Sequence, residues 1–234
     1  MREIVLDTET TGLDPAKGDR LVEIGCVETL NQIPTGKEFH VYLNPQRDMP
    51  EGAFKVHGLS AEFLSDKPLF AATAPDFLAF IGDARLVIHN AEFDMRFINA
   101  ELTRAGHAAI GNDRVLDTLA VARRKFPGMA NSLDALADRF QVDRSKRDKH
   151  GALIDSLILA EVYLELSGGR QTSMALTAGP APRSRKAGEA APLAARPIAL
   201  PPRLSEAVRA AHAAFVATLG KDAVWGDYAD VDKP

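Results

Sequence analysis

A chain of 234 residues is long enough for one well-buried core with appendages. Its 46% hydrophobic and 26% charged residues are those of an ordinary globular protein. A formal charge of −4 excludes a surface that attracts polyanions by its overall sign, so a nucleic-acid partner would need a local basic patch or bound metal ions.

The first β-type run, 3–7, leads straight from Ile4, Val5 and Leu6 into Asp7 and Glu9. Residues i and i+2 of a strand share a face, so the two carboxylates project side by side. Like charges that close repel unless a cation lies between them, and carboxylate oxygens are hard ligands suited to Mg²⁺ or Mn²⁺. An acidic turn at a strand end, built with Thr10, Thr11 and Gly12, is the structural alternative. Further β-type runs at 21–29 and 38–43, separated by Gly/Asp/Pro/Asn turns, predict an antiparallel meander.

The lone cysteine, Cys26, excludes an internal disulfide and reads as a reduced core thiol of a cytoplasmic protein. Glu3, Asp7 and Glu9 interrupt any leader-like start, and no apolar run approaches the roughly 20 residues of a membrane span.

From Ala53 onward, helix-period segments at about 73–81, 92–105, 118–125, 132–139 and 151–166 alternate with the short apolar runs RLVIH (85–89) and RVLD (114–117). A meander followed by βα units predicts a mixed sheet with helices on its faces.

In LVIHNAEFDMRFI (86–98) a buried strand breaks at His89-Asn90 and a helix begins, with Asn90 a candidate N-cap. Asp94 favours a helix N-terminus through the macrodipole, yet Phe93, Met95, Phe97 and Ile98 surround it with apolar neighbours. In DKHGALIDSLILAEVYLEL (148–166) Asp155 faces Ile158 and Leu159 one turn on, where an ionised carboxylate costs several kcal/mol unless paired or metal-bound. His150 would lie about 140° from Asp155 on an ideal helix and fits better in the preceding loop, free to swing over a site.

Four carboxylates from three segments, Asp7, Glu9, Asp94 and Asp155, are enough to hold two divalent ions about 3.5–4 Å apart for an in-line displacement at phosphorus. His150, with an unperturbed pKa near 6.5, suits a general base for the attacking water.

The motifs D-x-E-T-T-G (7–12), H-N-A-x-F-D (89–94) and H-x-x-x-x-D (150–155), with VLDTLAVARRKFPG (115–128), resemble the DEDDh 3′–5′ exonucleases. The resemblance covers about 1–167, the expected catalytic domain. It implies a ribonuclease H-like α/β fold, with a mixed five-stranded sheet and helices on both faces. It implies further that Asp7, Glu9, Asp94 and Asp155 bind two Mg²⁺ or Mn²⁺ ions, with His150 as general base.

Within the family the chain is most similar to bacterial replicative proofreaders. The stretch AFKVHGLSAEFLSDKP (53–68) implies that His57 contacts the terminal nucleotide. Gly52 stands where many relatives carry an acid, so a contact there would use its backbone. Thr8 and Thr10, beside Asp7, Glu9 and Asp155, are expected to hold the 3′-terminal nucleotide of DNA.

The basic run RSKRDK (144–149) reads either as a solvated loop or as a phosphate-positioning patch. QTSMAL (171–176) resembles a sliding-clamp motif, in which Gln171 bonds the pocket rim while Met174 and Leu176 fill an apolar groove.

The segment 177–203 holds six prolines and five Lys/Arg against one Glu, and is expected to be a linker spanning about 28 Å. With the clamp-like motif it forms a predicted connecting region, 168–203. The tail 204–234 regains helical periodicity, with Ser205 a candidate N-cap and Gly220 a stop. It resembles the segment that tethers such an exonuclease to its polymerase subunit, although docking on its own domain is the alternative. Tethering supplies local concentration without tight DNA binding. A stand-alone RNA-trimming enzyme, the other reading of the same active site, would need neither clamp motif nor tether.

Overall fold

The computed structural model describes residues 1–145, 149–169 and 204–219. The clamp-like motif with Gln171, Met174 and Leu176, the proline-rich segment 177–203, and Gly220 with the rest of the tail lie outside the described residues.

Five strands, β1 (Arg2–Thr10), β2 (Leu21–Leu30), β3 (Ile33–Tyr42), β4 (Arg85–Ile88) and β5 (Val115–Asp117), form one mixed sheet in the order β3-β2-β1-β4-β5. The meander β1-β2-β3 is antiparallel, and β4 and β5 add in parallel. Because β1 is covered on both faces, its apolar residues run continuously instead of alternating.

Ile4 and Leu6 enter the core shared with α3 (Phe70–Ile81) and α4 (Ala91–Arg104), which contribute Phe77, Ile81, Phe97 and Ile98. On the opposite face Val5, Val27 and Val87 lie under Leu159 and Tyr163 of α7 (Ala152–Leu166). The outer side of α7 packs through Ile158 and Val162 against α5 (Thr118–Lys125) and α6 (Leu133–Phe140). The expected α/β sheet with helices on both faces is thus present. Cys26 is buried as expected, and desolvation pushes its thiol pKa up. Among the described residues no helix is long and apolar enough to cross a membrane.

Four features differ from the sequence reading. Strand β1 continues through Thr10, so Asp7 and Glu9 lie within the strand rather than past its end. Strand β3 begins at Ile33, immediately after Asn31 and Gln32, whose φ values of 52° and 69° make the tight two-residue turn of a hairpin. Its Pro34 is tolerated because β3 is an edge strand.

Two short helices, α1 (Glu51–His57) and α2 (Ala61–Leu64), precede α3, which itself starts at Phe70. Asn90 takes the left-handed conformation (φ 64°) and makes no side-chain cap; instead Asp117 accepts the Asn90 and Leu119 amides at 3.1 and 2.9 Å.

The tail contributes helix α8 (Glu206–Thr218), whose N-cap is Ser205, accepting from the Val208 amide as its sequence predicts.

Candidate active site

Strand β1 pairs with β4 only along Glu3, Ile4 and Val5, so residues 7–10 of β1 extend beyond the end of β4. The space left at these strand ends receives the first turn of α4. That geometry places Asp94 against β1, where Thr8 Oγ1 donates to Asp94 Oδ1 at 2.6 Å. A crevice outside the carboxyl ends of parallel strands is where open α/β sheets bind ligands.

On the other face of β1, the alternation that puts Glu3 and Val5 under α7 also puts Asp7 and Glu9 there. Asp7 pairs with Gly25 of β2 and Glu9 with Glu23. Gly25 lets α7 come close: a Cβ at that residue would lie 2.2 Å from Leu153 N and 2.3 Å from Ala152 C. Ser156 Oγ seals the contact by donating to Gly25 O at 2.9 Å. The first turn of α7 is therefore pressed onto the sheet, and Asp155 on that turn is only 3% exposed.

His150 lies in the loop before α7, as expected, with Nδ1 3.0 Å from Asp155 Oδ2. An ionised carboxylate can only accept, so Nδ1 is the donor to Asp155, which in the neutral imidazole leaves the lone pair on Nε2. Glu9, His150 and Asp155 each offer a ligand atom within 4.8 Å of the others.

The cleft so formed has a volume of about 250 Å³ and is lined by Asp7, Thr8, Glu9, Asp94, His150 and Asp155, with His89, Asn90, Phe93, Ser132, Leu133 and Asp134 around them. Two roomier clefts of about 660 and 640 Å³ hold no comparable acid cluster.

Burial first, then the charges of Asp94, Glu9, Asp155 and Glu23, hold the Asp7 carboxyl well above the ordinary carboxylate range. Burial pushes Asp94 up to about 7, against the hydrogen bond from Thr8 that lowers it. An acid raised in the folded state binds a proton that the unfolded chain has released. Its contribution to stability therefore falls as pH rises from about 4 to about 7. The metal-free protein accordingly carries a growing electrostatic cost up to neutral pH, which a bound cation would offset.

The remaining sequence-predicted residues divide. Thr10 Oγ1 donates to Gly12 O at 2.6 Å, so the hydroxyl protons of both Thr8 and Thr10 are engaged within the protein. His57 ends α1 and is buried; its Nδ1 accepts the Leu59 amide at 3.0 Å, leaving Nε2–H close to the Thr10 backbone without a well-formed bond. Burial lowers its pKa. Gly52 sits exposed in the first turn of α1, where a Cβ would meet nothing within 4 Å. Thr10, Gly52 and His57 stand outside the lining of the cleft.

Arg144 departs from the expected basic patch, being paired with Asp134 at 2.8 Å and with Asp138 of α6. Glu23 was missed: it is 3% exposed beside Glu9 and bonds His40 Nε2 at 2.7 Å. Its only sequence signal was an acid inside an apolar strand.

Comparison with known proteins matches residues 4–163 to a family described as Exonuclease. The DNA polymerase III subunit epsilon of Rickettsia felis is 56% identical over 176 residues, covering 74% of this chain and 77% of the relative. That of Escherichia coli (strain K12) is 51% identical over 181 residues, covering 74% of each. Among solved structures, exonuclease X in complex with 5′ overhanging duplex DNA superposes with a TM-score of 0.56 at 24% identity, over 70% of this chain and 89% of that one. The zinc-bound form of the E. coli exonuclease I–ssDNA complex gives a TM-score of 0.63 at 18% identity, over 72% and 41%. These structural likenesses establish the fold.

Proposed function

The chain belongs to the DNA polymerase III epsilon-subunit family of exonucleases, and from that membership we propose how its residues do the work of a proofreading 3′–5′ exonuclease. The substrate is the 3′ terminus of single-stranded or mispaired DNA, and the products are nucleoside monophosphates. The observation that carries the reading is the convergence of Asp7, Glu9, Asp94 and Asp155 from β1, α4 and α7 on one cleft, with His150 bonded to Asp155 at 3.0 Å.

The donor set fits divalent metal. Carboxylates that oppose one another's ionisation, as those around Asp7 do, are ionised together at low cost only with a cation among them. Asp7, Glu9, Asp94 and Asp155 would hold two Mg²⁺ or Mn²⁺ ions, which when bound supply charge stabilisation at the phosphoryl oxygens and a more acidic water. His150 receives the proton of the attacking water at Nε2, and Asp155 fixes the ring and stabilises its imidazolium. Thr8 holds Asp94 in place. Asp7, Glu9 and Asp155, with Thr8 and Thr10, border the terminal nucleotide, which His57 and the backbone of Gly52 flank from α1.

Two outcomes check the metal reading. At pH 6 Asp94 is largely protonated and at pH 8 ionised, so the Mn²⁺ concentration for half-saturation, measured by calorimetry, should fall between these values. Thr8→Val removes a bond that lowers the Asp94 pKa, and should weaken Mn²⁺ binding about 10–100-fold at pH 7, with partial recovery at higher pH. Affinity that is flat with pH and unchanged in Thr8→Val would refute the assignment.

For the rest of the chain, we assign 1–167 to the exonuclease domain and 168–203 to a connecting region. Within that region Gln171, Met174 and Leu176 engage the beta sliding clamp. Residues 204–234 bind the DNA polymerase III alpha subunit, an arrangement supported by the capped amphipathic helix α8 with Val208 and Phe215 along it. Deleting 204–234 should abolish co-purification with the alpha subunit and spare hydrolysis of single-stranded DNA. A truncated protein that still binds the polymerase would show the tail assignment to be wrong. The same tail favours the proofreader over a stand-alone RNA-trimming enzyme.

A further inference from the structure

Lys149 immediately precedes His150, and its side chain leaves the loop to lie across α1. Its Nζ stands 5.2 Å from the centroid of the Phe54 ring. Its methylenes run over Gly58, the left-handed C-cap of α1, so closely that a Cβ there would come within 2.7 Å of Lys149 Cδ. The ammonium is also near enough to His57 to oppose protonation of that ring. A cation suits the C-terminal end of a helix, and a cation over an exposed aromatic face shifts an equilibrium by about two- to fivefold. The His150 side chain is 46% exposed and bonds Asp155, so the backbone that leads into it shares in setting its orientation.

We propose that Lys149 is a positioning residue: seated on Phe54 and Gly58, it ties the backbone of His150 to the helix that carries His57. The imidazole is thereby held over the cleft with Nδ1 on Asp155. This rests on the reading of His150 as general base. A lysine with this role acts on turnover, whereas one that grips a substrate phosphate acts on KM.

The test uses the full chain, a single-stranded DNA oligonucleotide and Mn²⁺. Lys149→Met keeps the alkyl stem and removes the charge; it should lower kcat about fivefold with KM changed by less than about twofold. Phe54→Leu should give a similar loss, the double variant should be no worse than either single one, and Lys149→Arg should restore most of the activity. Melting temperatures near that of the parent exclude a folding defect as the cause.

Independently of turnover, the His150 ring resonances in NMR spectra should change in Lys149→Met and not in Lys149→Arg. Unchanged kcat and unchanged His150 resonances, a rise in KM alone, or losses that simply multiply in the double variant would overturn the proposal. Failure of the parent chain to hydrolyse DNA would instead count against the function, and the resonances would then decide the positioning role of Lys149.

Discussion

Asp7→Asn is expected to abolish 3′–5′ hydrolysis and, at the same time, to raise the melting temperature of the metal-free protein at pH 7.5. Both effects come from one cause. Asp7 is buried among Asp94, Glu9, Asp155 and Glu23, whose charges oppose its ionisation. Without a cation, an ionised Asp7 costs folding free energy, and the neutral amide removes that cost while keeping the shape of the side chain.

The same substitution replaces one carboxylate oxygen of the proposed metal-binding cluster with an amide nitrogen. Metal electrostatics at phosphorus is worth several kcal/mol, so the loss in kcat is on the order of 10³-fold or more. Differential scanning calorimetry in EDTA, alongside an exonuclease assay with Mg²⁺, measures the two together. A variant that is both less stable without metal and catalytically competent would show that Asp7 is not part of a cation-demanding cluster. Metal should also stabilise the parent protein more at pH 8 than at pH 5.5, because Asp94 and Asp7 must first be ionised, and that difference should shrink in Asp7→Asn.

Gly25→Ala carries the second large effect, at a residue that touches no substrate. The added methyl would lie 2.2 Å from Leu153 N, 2.3 Å from Ala152 C and 2.5 Å from Ala152 O. These are backbone atoms and cannot rotate aside, so the first turn of α7 must lift from the sheet. Overpacking of this kind costs about 1–3 kcal/mol.

The catalytic cost is larger in proportion. Asp155 sits on the displaced turn and holds His150, and a misplacement of about 1 Å at a reacting group costs about 10²-fold. Ser156→Ala is the control: it removes only the 2.9 Å bond to Gly25 O, costs about 1 kcal/mol, and should leave kcat within about threefold of the parent. A Gly25→Ala protein with parental activity and melting temperature would show that α7 does not need the close approach.

These two residues also mark where sequence reading succeeds and where it stops. Asp7, Glu9, Asp94, Asp155 and His150 were legible because each departs from its local pattern: an acid in an apolar strand or an apolar helix face, and a histidine in the loop leading to it. Three such departures in fixed order resemble one family.

Gly25 was passed over in the sequence: a glycine inside a strand can signal close backbone approach, but only the register with Asp7 and the packing of α7 reveal what approaches. Glu23 stayed hidden because LVEIGCVETL carries two acids, Glu23 and Glu28, and nothing in the segment sets one apart until the pairing of Glu23 with Glu9 and its burial are known. Helices α1 and α2, of 7 and 4 residues, are too short to show a period, and α1 begins after Pro50 without a side-chain cap. The start of β3 was read as a turn because Pro34 and Gly36 look like breakers, yet an edge strand accepts both.

The central claim is that the carboxylate cluster and its bound cations, with His150, remove nucleotides from a 3′ end. Its most direct measurement follows a 5′-labelled single-stranded DNA oligonucleotide incubated with the full chain and Mg²⁺ or Mn²⁺. The expected result is a ladder that shortens one nucleotide at a time from the 3′ end, and that disappears both in EDTA and in the Asp7→Asn, Asp155→Asn double variant. Continued shortening by the double variant in EDTA would contradict the account.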